Sequence, residues 1–163
     1  MAPARRGVCA SDTLTRILAA RPGPNRWADF AFLQLQKQGW EARCQLCGWS
    51  AWPGPDQFRP VIEHGERFLL ARPDSPVWWD VALTVAQAHE TAWSPSKTVP
   101  GDEYIEPADY LAEAPDHRRR AIELYERILQ RGSWLTTRAM VMRLHRLKLD
   151  IDTDYHPFWC VWD

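Results

Sequence analysis

The pattern of apolar and polar positions in the first part of the chain predicts two helices. Apolar residues recur at helical spacing across residues 11–20, and the stretch RPGPN that follows ends this helix. Asn25 is a preferred N-cap residue, so a second helix is expected to reach about Gln38, with Gly39 in the left-handed position after its end. The inward positions of this second helix would be Trp27, Phe30, Ala31 and Leu35.

The next segment changes to the alternation that is typical of strands. The stretch WEARCQLC places apolar residues at every second position from Trp40 to Leu46, which predicts a half-buried strand. The stretch FRPVIEHGERFLLAR predicts a hairpin, because His64 and Gly65 separate two apolar runs. A small antiparallel sheet is therefore expected at roughly residues 40–72.

The second half of the chain returns to helical spacing. Ser75 followed by Pro76 is a typical helix start, and the helix after it is predicted to reach about Glu90. Its inward positions would be Trp78, Val81, Ala82 and Val85. A proline-containing loop, a short helix at residues 107–113, a helix from Asp116 to Arg131 and a last helix from Leu135 to Lys148 are expected to follow.

These elements predict an α+β protein, with a small antiparallel sheet at residues 40–72, about five helices around it and a C-terminal helix pair. The length of 163 residues is that of a single domain, residues 1–163. The alternative is a division into an α+β part, residues 1–92, and a helical part, residues 105–163, joined by the loop at residues 93–104.

Composition limits the class of protein. The chain has neither the apolar core of a signal peptide nor a run of 18 apolar residues, so we expect no membrane association. Four cysteines in a chain of this length favour a reduced, cytoplasmic protein over a disulfide framework. Arginine outnumbers lysine and alanine is common, which favours a bacterial or phage origin. Ten tryptophans exceed what a core of this size needs, so two or three are expected to be partly exposed.

Charge is strongly segregated although the net charge is only −1. Residues 101–116 contain six acidic side chains and no Lys or Arg, whereas residues 117–148 contain nine basic side chains and two acidic ones, a net charge of +7. Such asymmetry indicates a partner of opposite charge. The alternative is internal neutralisation, with Arg119, Glu123 and Arg127 forming a ladder at four-residue spacing.

The basic segment predicts a nucleic-acid contact. Its two helices, with a turn at Gly132, resemble a helix-turn-helix only loosely, because a third helix is missing. Ile122, Tyr125, Ile128 and Leu129 would bury the first helix, and Met140, Leu144 and Leu147 the second. The residues predicted to contact nucleic acid are Arg118, Arg119, Arg138, Arg143, His145, Arg146 and Lys148. The leading hypothesis is therefore a small regulatory or accessory protein that contacts DNA or RNA.

The alternative hypothesis is a protein–protein interaction module or inhibitor. Exposed tryptophans would anchor the partner, and the acidic stretch would offer carboxylates to a basic surface. The residues predicted for this contact are Trp49, Trp52, Trp93, Asp102, Glu103 and Glu106. An enzyme is disfavoured, because the chain has no glycine-rich phosphate loop, no H-E-x-x-H and no G-x-S-x-G motif, and no catalytic residue is predicted.

Cys44 and Cys47 form one half of a zinc-binding pattern. A tetrahedral site needs two further ligands, and His156 with Cys160 could supply them if that segment forms a helical turn; His64 is a substitute ligand. Prolines and glycines follow the pair, which disfavours the helix start that a redox pair requires. The sequence favours two unligated thiols and no cofactor, with a structural zinc ion as the alternative.

Overall fold

A computed structural model describes residues 25–46, 59–94, 108–131 and 138–152 of the chain. These residues form helices and their connecting turns, with no strand among them, so the predicted α+β class is wrong for this part of the protein. The helices are α1 (Arg26–Leu46), α2 (Arg59–Ala71), α3 (Trp78–Trp93), α4 (Ala108–Gln130) and α5 (Arg138–Lys148). Helix α3 packs against α2 and α4, and α5 packs against α4.

The predicted first strand belongs to α1. Asn25 caps this helix as expected, because its Oδ1 accepts a hydrogen bond of 2.8 Å from the Ala28 amide. The helix does not end at Gln38 but continues to Leu46. A glycine inside a helix costs only about 1 kcal/mol, so Gly39 does not stop it. Two of the predicted inward positions of α1 are wrong, because Trp27 and Phe30 are exposed, whereas Ala31 is buried as predicted.

The predicted hairpin is helix α2. The buried residues of this helix are Val61, Ile62, Gly65, Phe68 and Leu69, which recur at intervals of three and four. Gly65 is not a turn residue but the point where α2 approaches α3. A Cβ atom at this position would lie 2.2 Å from Cγ2 of Val85, so only glycine permits this separation of the two helices. A glycine between two apolar runs predicts a turn by local pattern, whereas here it serves helix packing.

Helix α3 forms the centre of the described core, as its periodicity predicts. Trp78, Val81, Ala82 and Val85 are all buried. The helix begins at Trp78, whose amide donates to the carbonyl oxygen of Ser75 at 3.0 Å, and it extends past the predicted end to Trp93. The ring of Trp78 donates through Nε1 to the Leu69 carbonyl oxygen at 3.4 Å, and the guanidinium groups of Arg127 and Arg131 lie 5.2 and 4.4 Å from its centroid.

Helix α4 joins two segments that the sequence predicts as separate. Pro115 lies inside this helix, and Asp116 is therefore not an N-cap. A proline removes one backbone hydrogen bond, but tertiary packing holds the helix on both sides of it, since Ala114 just before it is 1% exposed and Ala121 after it is fully buried. The end of α4 at Gln130 agrees with the prediction to within one residue.

Helix α5 ends as predicted at Lys148 and begins at Arg138. Asp150 has a φ of 59°, the left-handed conformation that terminates a helix. The amide of Ile151 donates to the Arg146 carbonyl oxygen at 2.9 Å, and that of Asp150 donates to the Leu147 carbonyl oxygen at 3.2 Å. These two bonds form a Schellman motif, which fixes the direction of the chain after α5.

None of the helices in the described ranges is long and apolar enough to cross a membrane. The predicted first helix at residues 11–20 lies outside the described residues.

Candidate functional site

Helix α5 has two faces of different character. Its inner face contains Met140, Leu144 and Leu147, which are buried as the sequence predicts. The residues that we define as its outer face are exposed: Arg138, Ala139, Met142, His145, Arg146 and Leu149. No acidic residue occurs between Arg138 and Lys148. The outer face is therefore a mixed surface of apolar and basic side chains.

Four residues of the outer face form a straight stripe. Arg138, Met142, His145 and Leu149 follow one another at intervals of four, three and four residues, so they lie above one another along the helix. Their Cα atoms span about 16 Å at the helical rise. Met142 is 47% exposed and Leu149 is 69% exposed, and Ile151 just beyond them is 53% exposed. Apolar side chains this exposed are typical of binding surfaces when they are grouped.

Arg143 is placed on the inner side of α5 and not among the exposed bases. Its Nη1 atom lies 2.8 Å from Oε2 of Glu90, and the hydroxyl group of Tyr125 donates to the same oxygen at 2.8 Å. The Glu90 side chain is only 3% exposed and that of Arg143 17%. Burial, together with the nearby Glu90 carboxylate, raises the pKa of Tyr125 well above its usual value, so its hydroxyl stays a hydrogen-bond donor.

Three more of the predicted nucleic-acid residues have partners within the molecule. Arg118 closes the end of α5, since its Nε donates to the Leu147 carbonyl oxygen at 2.7 Å and lies 3.3 Å from Oδ1 of Asp150. Arg119 lies on the surface of α4 between Asp116 and Glu123, at 3.1 and 2.8 Å. Lys148 lies 2.6 Å from Oε1 of Glu126. These contacts offset part of the positive charge that the sequence concentrates in residues 117–148.

Exposed arginine and histidine side chains of the predicted set remain on the outer face. Arg138, His145 and Arg146 are exposed there, as the sequence predicts. The structure thus brings these three together with Met142 and Leu149 and separates them from Arg143. The apolar part of this surface was missed by sequence reasoning, although the spacing of Met142 and Leu149 on the polar side of α5 was a usable signal.

A partly buried polar cluster connects α2, α3 and α4. The two Nδ1 atoms of His89 and His117 are 2.9 Å apart, and Nε2 of His89 is 3.2 Å from Oε1 of Glu66. Arg120 donates to the same Glu66 oxygen from Nη2 at 2.7 Å. The hydrogen bond from His89 is the main cause that lowers the pKa of Glu66 to about 2. Burial and the nearby His89 lower the pKa of His117 to about 4.

A polar cleft of about 310 Å³ lies between the start of α1 and the turn from α2 to α3. Its charged lining residues are Arg26, Asp29, Arg72 and Asp74, and Arg72 is ion-paired with Asp29. Two carboxylates and two guanidinium groups give this cleft no net charge with which to select a charged ligand.

Most of the residues predicted to contact a protein partner lie outside the described residues. Trp93 is buried at 2% exposure, so in this structure it packs in the core. Trp49, Trp52, Asp102, Glu103 and Glu106 lie outside the described residues. The strongly exposed aromatic residues that the structure describes are instead Trp27 and Phe30, which the sequence predicts to be buried.

Most of the predicted zinc ligands lie outside the described residues. The backbone of Cys44 belongs to α1, but its side chain is not among those described, and Cys47, His156 and Cys160 lie outside the described residues. His64, the substitute ligand, is exposed on α2, and its Nδ1 lies 2.9 Å from Nη2 of Arg67. Among the described residues, no group of three or more potential ligands is arranged to hold a metal ion.

Comparisons of the chain with protein-family models, with curated proteins and with solved structures give no match.

Proposed function

We propose that this protein is an interaction module that binds an acidic, amphipathic segment of another protein through the outer face of α5. The observation that carries this proposal is the alternation of exposed apolar and basic side chains on a helix that contains no acidic residue. The proposed setting is the cytosol, where thiols stay reduced.

The apolar side chains argue for a protein partner. Met142 and Leu149 lie seven residues apart on one stripe, which is the spacing of anchor residues in helix-in-groove and helix–helix recognition. Covering such apolar side chains favours association through the hydrophobic effect. Such side chains add little to contacts with phosphate groups, which are polar and charged.

The basic side chains argue for an acidic partner. Arg138 and His145 lie on the same stripe as the apolar positions, and Arg146 lies beside this stripe. Carboxylates on the partner would meet guanidinium groups at the edge of the contact, where charge complementarity speeds association and selects orientation. A basic partner would be repelled by the same residues.

Nucleic acid is the second candidate, favoured by the absence of carboxylates from α5. The number of positive charges on this side of α5 limits it. Arg138, Arg146 and half-exposed Lys148 are the permanently charged residues on the exposed side of α5, and Lys148 already contacts Glu126. Proteins that bind DNA mainly through phosphates make roughly six to ten such contacts. Two or three contacts would give weak binding with a shallow salt dependence.

Fluorescence anisotropy with defined probes tests the proposal. The probes are a labelled acidic amphipathic helical peptide, the same peptide with lysine in place of each glutamate, and a labelled DNA duplex. We expect micromolar binding of the acidic peptide only, and loss of that binding in a Met142→Ser/Leu149→Ser variant. Absence of binding to the acidic peptide would contradict the proposal.

Charge variants separate the two candidates. Arg138→Gln/Arg146→Gln removes two charges from the outer face, and Arg59→Gln/Arg67→Gln removes two charges from the exposed side of α2 as the matched control. If DNA is the true partner, the first variant lowers the slope of log Kd against log salt by about two and the Met142→Ser/Leu149→Ser variant has no effect. If the partner is an acidic protein segment, both outer-face variants weaken binding and the control does not.

A further inference from the structure

The histidine pair between α3 and α4 has a geometry that restricts its protons. His89 is 3% exposed, and the His117 side chain is 16% exposed. Their Nδ1 atoms are 2.9 Å apart, a hydrogen-bond distance, so one nitrogen donates and the other accepts. Only one hydrogen atom therefore lies between the two rings.

The partner of His89 on α2 orients this hydrogen bond. Oε1 of Glu66 lies 3.2 Å from Nε2 of His89, which makes that nitrogen the donor. In the neutral pair His89 then accepts at Nδ1 and His117 donates from Nδ1. A first added proton, held by His89 beside Glu66, leaves one hydrogen atom between the rings. Nδ1 of His89 then donates to Nδ1 of His117, whose own hydrogen lies on Nε2, 3.8 Å from Oε2 of Glu113. A second added proton places N–H groups on both Nδ1 atoms, which then repel each other.

We propose that the His89–His117 pair is a proton-operated latch between α3 and α4, closed while one proton lies between the two Nδ1 atoms and opened when both nitrogens carry a proton. Glu66 keeps its charge in acid, because His89 and Arg120 hold its pKa at about 2. The orienting carboxylate is thus still present at the pH where the rings change state.

The other charged groups around the latch come from two helices. Arg59 at the start of α2 lies 3.5 Å from Glu113 and disfavours a charged His117. Glu113 and Asp116 on α4 favour it. Burial and the charge on His89 outweigh these carboxylates, so the pKa of His117 is lowered to about 4.

The sign of the pH effect follows from this shift. The pKa of His117 in the folded protein lies below its ordinary value of 6.5. The unfolded chain therefore binds more protons between these values, and the latch loses its contribution to stability as the pH falls from 6.5 toward 4.

Thermal unfolding of the full chain between pH 7 and pH 4 tests the latch. His117→Gln can still donate to or accept from Nδ1 of His89 but cannot be protonated, so its melting temperature should fall by about 5 °C less than that of the wild type over this range. His64→Gln, which removes an exposed histidine on α2, should behave like the wild type. An equal decrease in all three proteins would overturn the proposal.

Nitrogen-15 NMR of the imidazole rings in the wild type keeps the test independent of the variants. We expect the His117 ring to become protonated near pH 4, accompanied by faster hydrogen exchange of the amides near residue 89 on α3 and residue 117 on α4. Protonation of the His117 ring near pH 6.5, or protonation without faster exchange, contradicts the latch.

Discussion

Arg143 and Arg146 lie three residues apart on α5 and occupy opposite environments. Arg143 is on the inner side, with its guanidinium group 2.8 Å from the buried carboxylate of Glu90, and Arg146 is exposed on the outer face. The two residues look equivalent in the sequence, where both belong to a run of bases. The difference shows that a run of basic residues in a sequence does not by itself determine where positive charge lies on the protein surface.

The energetic consequences of the two positions also differ. A buried ion pair that loses one partner leaves an uncompensated charge in the core, which is strongly destabilising. Replacement of a surface arginine, whose charge water solvates, changes the free energy of unfolding little. The inner side of α5 therefore serves stability, while the outer face is the surface proposed for binding.

The largest expected effect is that of Arg143→Ala, which removes the buried arginine of the comparison. Glu90 would stay buried with Tyr125 as its remaining donor, so we expect a loss of about 3–5 kcal/mol in the free energy of unfolding. Urea denaturation followed by circular dichroism measures it. Arg138→Ala, on the exposed side of the same helix, is the matched control and should change stability by less than about 0.5 kcal/mol. Equal effects of the two substitutions would contradict the assignment of faces.

A smaller effect is expected for Tyr125→Phe. This change removes the hydroxyl group that donates to Glu90 at 2.8 Å and leaves the ring in place. A hydrogen bond to a charged group contributes about 1.5–3 kcal/mol, so the free energy of unfolding should fall by that amount. The double variant with Arg143→Ala shows whether the two donors depend on each other. If its loss in the free energy of unfolding equals the sum of the two single losses, the donors act on Glu90 independently.

The smallest effect is expected on the outer face. The Met142→Ser/Leu149→Ser variant removes exposed apolar groups, and its free energy of unfolding should stay within about 0.5 kcal/mol of the wild type. The same denaturation assay measures it. A loss of more than about 2 kcal/mol would mean that these side chains support the fold, and it would remove the basis of the proposed binding surface.

Part of the fold was predictable because local pattern and tertiary role agree. Helix α3 is buried at every position that its spacing predicts, and α5 buries Met140, Leu144 and Leu147 as expected. The prediction of a sheet at residues 40–72 was wrong. A glycine between two apolar runs is typical of a hairpin, whereas Gly65 is needed for the approach of α2 to Val85. Only the position of α3 distinguishes the two roles of that glycine.

Part of the candidate site was also predictable from the sequence. The sequence correctly indicates that Arg138, His145 and Arg146 lie on the exposed side of α5. It does not indicate that Arg143 is paired with a carboxylate, because Glu90 is 53 residues away in the chain. The cluster of Glu66, His89 and His117 was missed for the same reason, since its members lie on three different helices.

The sequence by itself determined the helical periodicity of α3 and α5, the cap at Asn25 and the segregation of charge, because each of these depends on residues within a few positions of one another. The tertiary structure alone decided which bases lie beside carboxylates of other helices. That outcome depends on distances between helices, as for Arg120 and Glu66, which are 54 residues apart in the chain and 2.7 Å apart in space. Electrostatic energy depends on separation in space and on burial, and neither is encoded in the spacing of residues along the chain.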